Sequence, residues 1–357
     1  MGVIEEYDYL NARVRGMSTA LLRQEFFDQL LSTEGENLVV DSLLSSEYGE
    51  QLQEALSTQS GTEAISTALR RHVHEVFAKL ERVAPPEPAR LLHVQMNRWD
   101  IANVLAILRG IAAEAEHEEI MRAILPVGEL HEAQLSELAS EHELRAVANT
   151  LSTWNYTFAF AVHQGLQEQE SLEHPDLLLL DTVINRAYFE WALDVLSRET
   201  PNDQVEVVRE QLARQIDLVN VKAALDAVRL REHGNEPRAA DPIDGGLLAK
   251  RTLHGLADHD NLEDAFEELE GTYFLEAVER GILAFGETRN LAVMERFLEN
   301  VVIKAGAKLF RRDPLSIAVP LGFIWRQYNE FLNLRILVRG KHYQMPANAI
   351  REELLFV

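Results

Sequence analysis

The chain contains no cysteine. Disulfides, thiolate metal sites and a cysteine nucleophile are therefore excluded, and the composition is compatible with a reducing compartment. Aromatic residues are scarce, at 7%. With plentiful Leu, Ala and Glu, that scarcity favours helix over sheet. No apolar run approaches the ~20 residues that span a bilayer, and the longest, Ile317 to Trp325, carries Pro320. The opening MGVIEEYDYL is acidic and lacks the basic-then-apolar order of a secretory signal. The expected location is thus cytoplasmic, or peripheral on the cytoplasmic side of a membrane. Basic charge is also short, and the formal net charge is −24. A nucleic-acid partner needs a basic surface, so the charge argues against one and none is expected.

Catalytic signatures are missing as well. His-Glu dipeptides occur at His74, His117, His131 and His142. A zinc HExxH motif needs a second His one turn on, so that both imidazoles share a face. Those positions hold Ala78, Met121, Leu135 and Ala146. Gly340-Lys341-His342 resembles the end of a phosphate-binding loop, but Arg335 stands where its first Gly is required and no Ser or Thr follows Lys341. There is no GxSxG and no dinucleotide fingerprint. No cofactor, metal or catalytic residue is expected.

What the chain does have is a repeat. In RWDIANVLAILRG (98–110), QIDLVNVKAALDAVRLR (215–231) and DPLSIAVPLGFIWRQYNEFLNLRILVRG (313–340), the residues Asn103, Asn220 and Asn333 align at separations of 117 and 113 residues. An acid stands three positions before each: Asp100, Asp217 and Glu330. Pro201 and Pro314 each precede their Asn by 19 residues, and Pro85 precedes Asn103 by 18. GELHEAQLSEL (128–138) also aligns without gaps with GLLAKRTLHGL (246–256).

Helical periodicity runs through Thr62–Val83, Ala89–Ala113, Pro175–Ser197, Val205–Glu232 and Asn290–Leu309. Shorter helices are read at Leu38–Leu44, Gln51–Ala55, Glu129–Leu138, Glu143–Leu151 and Thr153–Gln167. Ser18 reads as the N-cap of a helix over Thr19–Leu31, broken at Ser32 to Gly35. No stretch reads as strand. The expected fold is all-α, with three tandem helical repeats of about 115 residues at 1–115, 116–236 and 237–357, the last two joined by a Gly- and Pro-rich link, His233 to Gly246.

Spacing i, i+3 puts each acid and its Asn on one helical face. Buried polar groups are normally paired. The six residues Asp100, Asn103, Asp217, Asn220, Glu330 and Asn333 are therefore read as structural, bonding backbone groups within the repeat. Charge is uneven: Lys304 to Arg351 contains nine Lys and Arg against Asp313 and Glu330, while the remainder carries −31. This is either ordinary surface variation or a face for an acidic partner or a membrane-proximal surface. Arg335, Arg339 and Lys341 are the candidate interface residues.

YLNARVR (9–15), WDIANVLAILRG (99–110), IDLVNVKAALDAVRL (216–230) and the PLGFI, NLR and GK elements of 313–341 together resemble the C subunit of archaeal and bacterial V/A-type rotary ATPases, the counterpart of the eukaryotic d subunit. The resemblance implies a funnel of three helical domains with pseudo-threefold symmetry. It implies a non-catalytic central-stalk rotor subunit, one copy per complex. Such a subunit receives shaft subunits of D and F type and sits on the cytoplasmic face of the membrane proteolipid ring. The sequence departs from strict repetition at Asp226, where the other copies have Arg109 and Arg339. The competing reading is a helical scaffold of another assembly.

Overall fold

The structure is a computed structural model that describes residues 3–32, 36–169, 176–236 and 241–357. Among the described residues the protein is all-α, with no β-strand. The chain begins with α1 (Val3–Ser18), α2 (Gln24–Ser32), α3 (Glu36–Leu44), α4 (Gly49–Ala55), α5 (Gly61–Val83) and α6 (Pro86–Ala112). There follow α7 (His117–Ala123), α8 (Glu132–Ala139), α9 (Leu144–Thr153), α10 (Ala159–Gln167), α11 (Leu177–Arg198) and α12 (Asp203–Glu232). The remainder is α13 (Lys250–Asp258), α14 (Leu262–Glu267), α15 (Leu275–Thr288), α16 (Leu291–Lys308), a 3₁₀ turn at Leu309–Arg311, α17 (Ala318–His342) and α18 (Ala347–Glu353).

One order of elements recurs along the chain: a short helix, a long helix, a proline turn and a longer helix bearing an acid and an Asn. The short helices α4, α10 and α15 each start directly after an aromatic residue, Tyr48, Phe158 or Phe274. All three rings are buried. Pro86 opens α6, where its missing N–H removes no helical bond. Asn202 caps α12 by accepting the Val205 N–H at 3.0 Å, and Asp176 caps α11 in the same way from Leu179.

The described chain condenses into two compact units, neither continuous in sequence. The first takes residues 1–103, 117–135 and 306–357. Its centre is α17, whose buried residues run around most of its circumference, as expected of a helix packed on several sides. It contacts α1, α3, α5 and α18. Trp99 lies between Phe77 and Trp325, with ring centroids 5.6 and 6.0 Å away. The second unit takes 104–116 and 136–305. There α12 packs on α11, α13 and α14, over a core that includes Leu225, Leu256, Phe266, Phe274 and Met294.

Three local expectations are corrected. Ser18 is not an N-cap: it lies in the last turn of α1 and its hydroxyl donates to the Arg15 carbonyl. Helix resumes only at Gln24, because the Leu22 N–H in the gap is taken by Glu330. The helix expected from Glu129 starts at Glu132, because the Glu129 and Leu130 N–H groups are taken by Asp100. The helix expected from Thr153 starts at Ala159, after a turn in which Asn155 adopts a positive φ of 54°. The break at Thr33–Gly35, the start at Pro175 and the Pro237–Ala240 part of the link lie outside the described residues.

Candidate functional site

The three acid–Asn pairs occupy equivalent places on α6, α12 and α17, and all six side chains are buried. Each Asn grips one residue of a later non-helical segment by both backbone groups. Asn103 accepts the Leu125 N–H at 2.8 Å and donates to its carbonyl at 2.7 Å. Asn220 does the same with Ile243, at 2.8 and 2.9 Å. Asn333 does the same with Leu355, at 3.0 and 2.7 Å. The amide suits this task because it carries one donor and one acceptor side by side, matching a residue's N–H and C=O.

Each acid accepts backbone N–H groups. Asp100 takes those of Glu129 and Leu130. Asp217 takes those of Leu247 and Leu248, at 2.9 and 3.1 Å. The donors Leu130 and Leu248 occupy the same place in the aligned 128–138 and 246–256 blocks. Those blocks begin with glycine for a steric reason. A Cβ at Gly128 would overlap the Asp100 carboxylate, and a Cβ at Gly246 the Asp217 carboxylate. Glu330 differs: it receives the Leu22 N–H, far back in the chain, and the Tyr48 hydroxyl at 2.6 Å. Gln327 donates to the same tyrosine oxygen at 3.3 Å. Tyr273 plays the tyrosine's part for Asp217, donating at 2.9 Å.

Burial dominates the electrostatics. It pushes the Asp100 carboxyl up to about 8, against the opposing pull of the two backbone N–H groups. It pushes Glu330 up to about 7, opposed by Tyr48, Leu22 and Gln327, and it also raises Asp217. Burial and then the Glu330 charge raise the Tyr48 hydroxyl. His72, stacked on Tyr48 with centroids 4.1 Å apart, is lowered by burial to about 4. A proton-transfer centre would need these groups to face a substrate; here their bonds go to the chain's own backbone and side chains.

The three candidate interface residues separate. Arg339 is exposed, with its guanidinium 5.8 Å from the Tyr343 ring centroid. Arg335 is half-buried and lies 5.4 Å from the Phe331 ring. Lys341 is half-buried, and its Nζ donates to the Leu31 carbonyl at the end of α2 at 3.3 Å. Of the repeat's other charged positions, Arg109 pairs with Asp181, whereas Asp226 accepts from Arg229 at 2.8 Å.

Sequence reasoning missed Asn329, which donates to the Leu355 carbonyl at 2.7 Å beside Asn333. Its counterparts in the other copies are Trp99 and Ile216, so no repeat signal marked it. Among the described residues no cluster of His, Asp and Glu could hold a metal ion, and no helix is long and apolar enough to cross a membrane.

Known proteins are similar to this chain along nearly its whole length. The family of ATP synthase (C/AC39) subunits matches residues 10–353. The C subunit of the A-type ATP synthase of Methanocaldococcus jannaschii is 24% identical over 356 residues, covering 98% of this chain and 86% of that protein. Its counterpart in Methanosarcina mazei is 25% identical, covering 98% and 93%. That of Methanosarcina acetivorans is 27% identical over the same shares.

Proposed function

This chain belongs to the ATP synthase (C/AC39) subunit family, and from that premise we propose that it is the non-catalytic central-stalk component of a V/A-type rotary ATPase. In this reading the chain, one copy per complex, is a socket of three helical repeats on the cytoplasmic face of the membrane. It joins shaft subunits of D and F type to the proteolipid ring and carries torque between ion flux and ATP chemistry on other subunits.

The observation that carries the reading is the match along nearly the whole length, both to the family and to the C subunits of A-type ATP synthases. The geometry of the repeated polar residues is in keeping with it. All six bond the chain's own backbone, as suits a part that must stay rigid under load rather than one that converts a substrate. Of the three candidate interface residues, exposed Arg339 is best placed to meet a partner. Arg335, half-buried on Phe331, and Lys341, tied to Leu31, are better placed to hold the fold.

The test is co-purification of the tagged chain with the shaft and ring subunits of its own complex. One copy per complex is expected. A chain that captures neither shaft nor ring would overturn the proposal in favour of a scaffold for another assembly. Arg339→Glu is expected to weaken that capture while leaving helicity unchanged by circular dichroism.

A further inference from the structure

The turn between α16 and α17 concentrates positive charge in a chain whose net charge is −24. Its sequence, Lys308 to Ser316, reads KLFRRDPLS. Phe310 is buried, and two guanidinium groups lie against its ring: Arg326 of α17 at 4.4 Å from the centroid and Arg15 of α1 at 5.5 Å. Lys308, Arg311 and Arg15 are exposed. Burial first, and then the like charge of Arg311, lower the Arg326 guanidinium from its ordinary value. The Arg326 Nε is buried without a hydrogen-bond partner. The acid within the turn is already engaged, since the Asp313 carboxylate accepts the Leu315 N–H at 3.0 Å.

The turn is also built to hold its shape. Asn11 of α1 donates to the carbonyls of both Pro314 and Ser316, at 2.9 and 3.0 Å. These bonds fix α1, which carries Arg15, against the turn. Within this rigid turn Leu315 is 51% exposed. Crowding like charges around one ring is unfavourable unless an anion joins them, and guanidinium groups pair with phosphate oxygens two bonds at a time.

We propose that this turn, with the end of α1, is a docking surface for the phosphate headgroups of an anionic lipid bilayer. Three features favour a bilayer over an acidic protein segment. An exposed leucine in the same turn as Lys308 and Arg311 suits a layer of phosphates over an apolar interior, where each group finds its own depth. The surface is short and held rigid, so it fits an array of headgroups without selecting a sequence. The net charge of −24 repels an anionic surface from the rest of the molecule, so this patch fixes a single orientation.

The experiment is co-sedimentation of the full chain, without any partner, with vesicles of phosphatidylglycerol and phosphatidylcholine or of phosphatidylcholine alone. Its outcome is therefore independent of the shaft and ring reading. Binding to the anionic vesicles only, weakened by added salt, is expected. Arg311→Gln and Lys308→Gln should each lower the affinity about fivefold, and Leu315→Ser by a smaller factor that leaves the salt dependence intact. Arg251→Gln, an exposed change in the second unit, should alter nothing. Circular dichroism checks that each variant remains helical. Failure to bind anionic vesicles would overturn the proposal. So would binding that the turn variants do not weaken, or capture by polyglutamate in place of vesicles.

Discussion

The pair Asp217/Asn220 on α12 and the pair Glu330/Asn333 on α17 perform the same task with different reach. Both asparagines lock a segment that follows 22 or 23 residues later in sequence. The acids diverge. Asp217 takes N–H groups from Leu247 and Leu248, just beyond its Asn's partner. Glu330 instead takes the N–H of Leu22, more than 300 residues earlier in the sequence. The extra methylene goes with the substitute partner. The short Asp works where a glycine lets backbone press against the carboxylate; the longer Glu works where the donors, Leu22 and Tyr48, come from elsewhere. The polar hub thus recurs on α17 with a different set of donors.

The largest expected effect is loss of an Asn lock. Asn220→Ala leaves the N–H and C=O of buried Ile243 unpaired and should cost about 3 kcal/mol in denaturant unfolding. Asn333→Ala should cost less, about 2 kcal/mol, because Asn329 still reaches the Leu355 carbonyl. Equal losses would break the comparison.

Exchanging the acids comes next. Asp217→Glu must fit a methylene against Gly246, and Glu330→Asp must give up Leu22 or Tyr48. Each should cost about 2 kcal/mol. If either exchange is neutral, side-chain length does not distinguish the two sites.

Removing the phenolic hydroxyls should be milder. Tyr48→Phe takes a donor from a fully buried carboxylate and should cost about 1.5 kcal/mol. Tyr273→Phe acts at a ring that is 37% exposed and should cost about 0.5 kcal/mol.

The buried acids also set a pH dependence. Asp100 and Glu330 hold their protons more tightly folded than unfolded. Their burial therefore carries no ionisation penalty below about pH 4, where both states are protonated. Stability falls as pH rises through about 7 for Glu330 and about 8 for Asp100. Glu330→Gln should lessen the slope of that fall between about pH 4 and 7, and Asp100→Asn should lessen it from about pH 4 up to about 8, read as denaturant midpoints across the range.

Much of this was legible in the sequence, for identifiable reasons. Apolar periodicity marks α5, α11, α12 and α16. The i, i+3 spacing places each acid and Asn on one face. The gapless 128–138 and 246–256 alignment contains both the glycines and the N–H donors. What stayed hidden is the identity of the partners. Leu125, Ile243 and Leu355 are held by backbone atoms, which no side chain announces. Leu22 sits in a stretch whose apolar spacing reads as helix, and only a bond to Glu330, distant in sequence, overrides it. The aromatic at the start of α4, α10 and α15 changes from Tyr48 to Phe158 to Phe274, so shape repeats where residue identity does not.

The central proposal is that the chain couples and does not catalyse. Its most direct test is to reconstitute the membrane complex with and without this chain and to measure ATP hydrolysis and ion flux together. Without the chain, hydrolysis should continue while ion flux stops, and adding it back should restore flux. Undiminished flux without the chain, or hydrolysis that stops when the chain alone is left out, would contradict it.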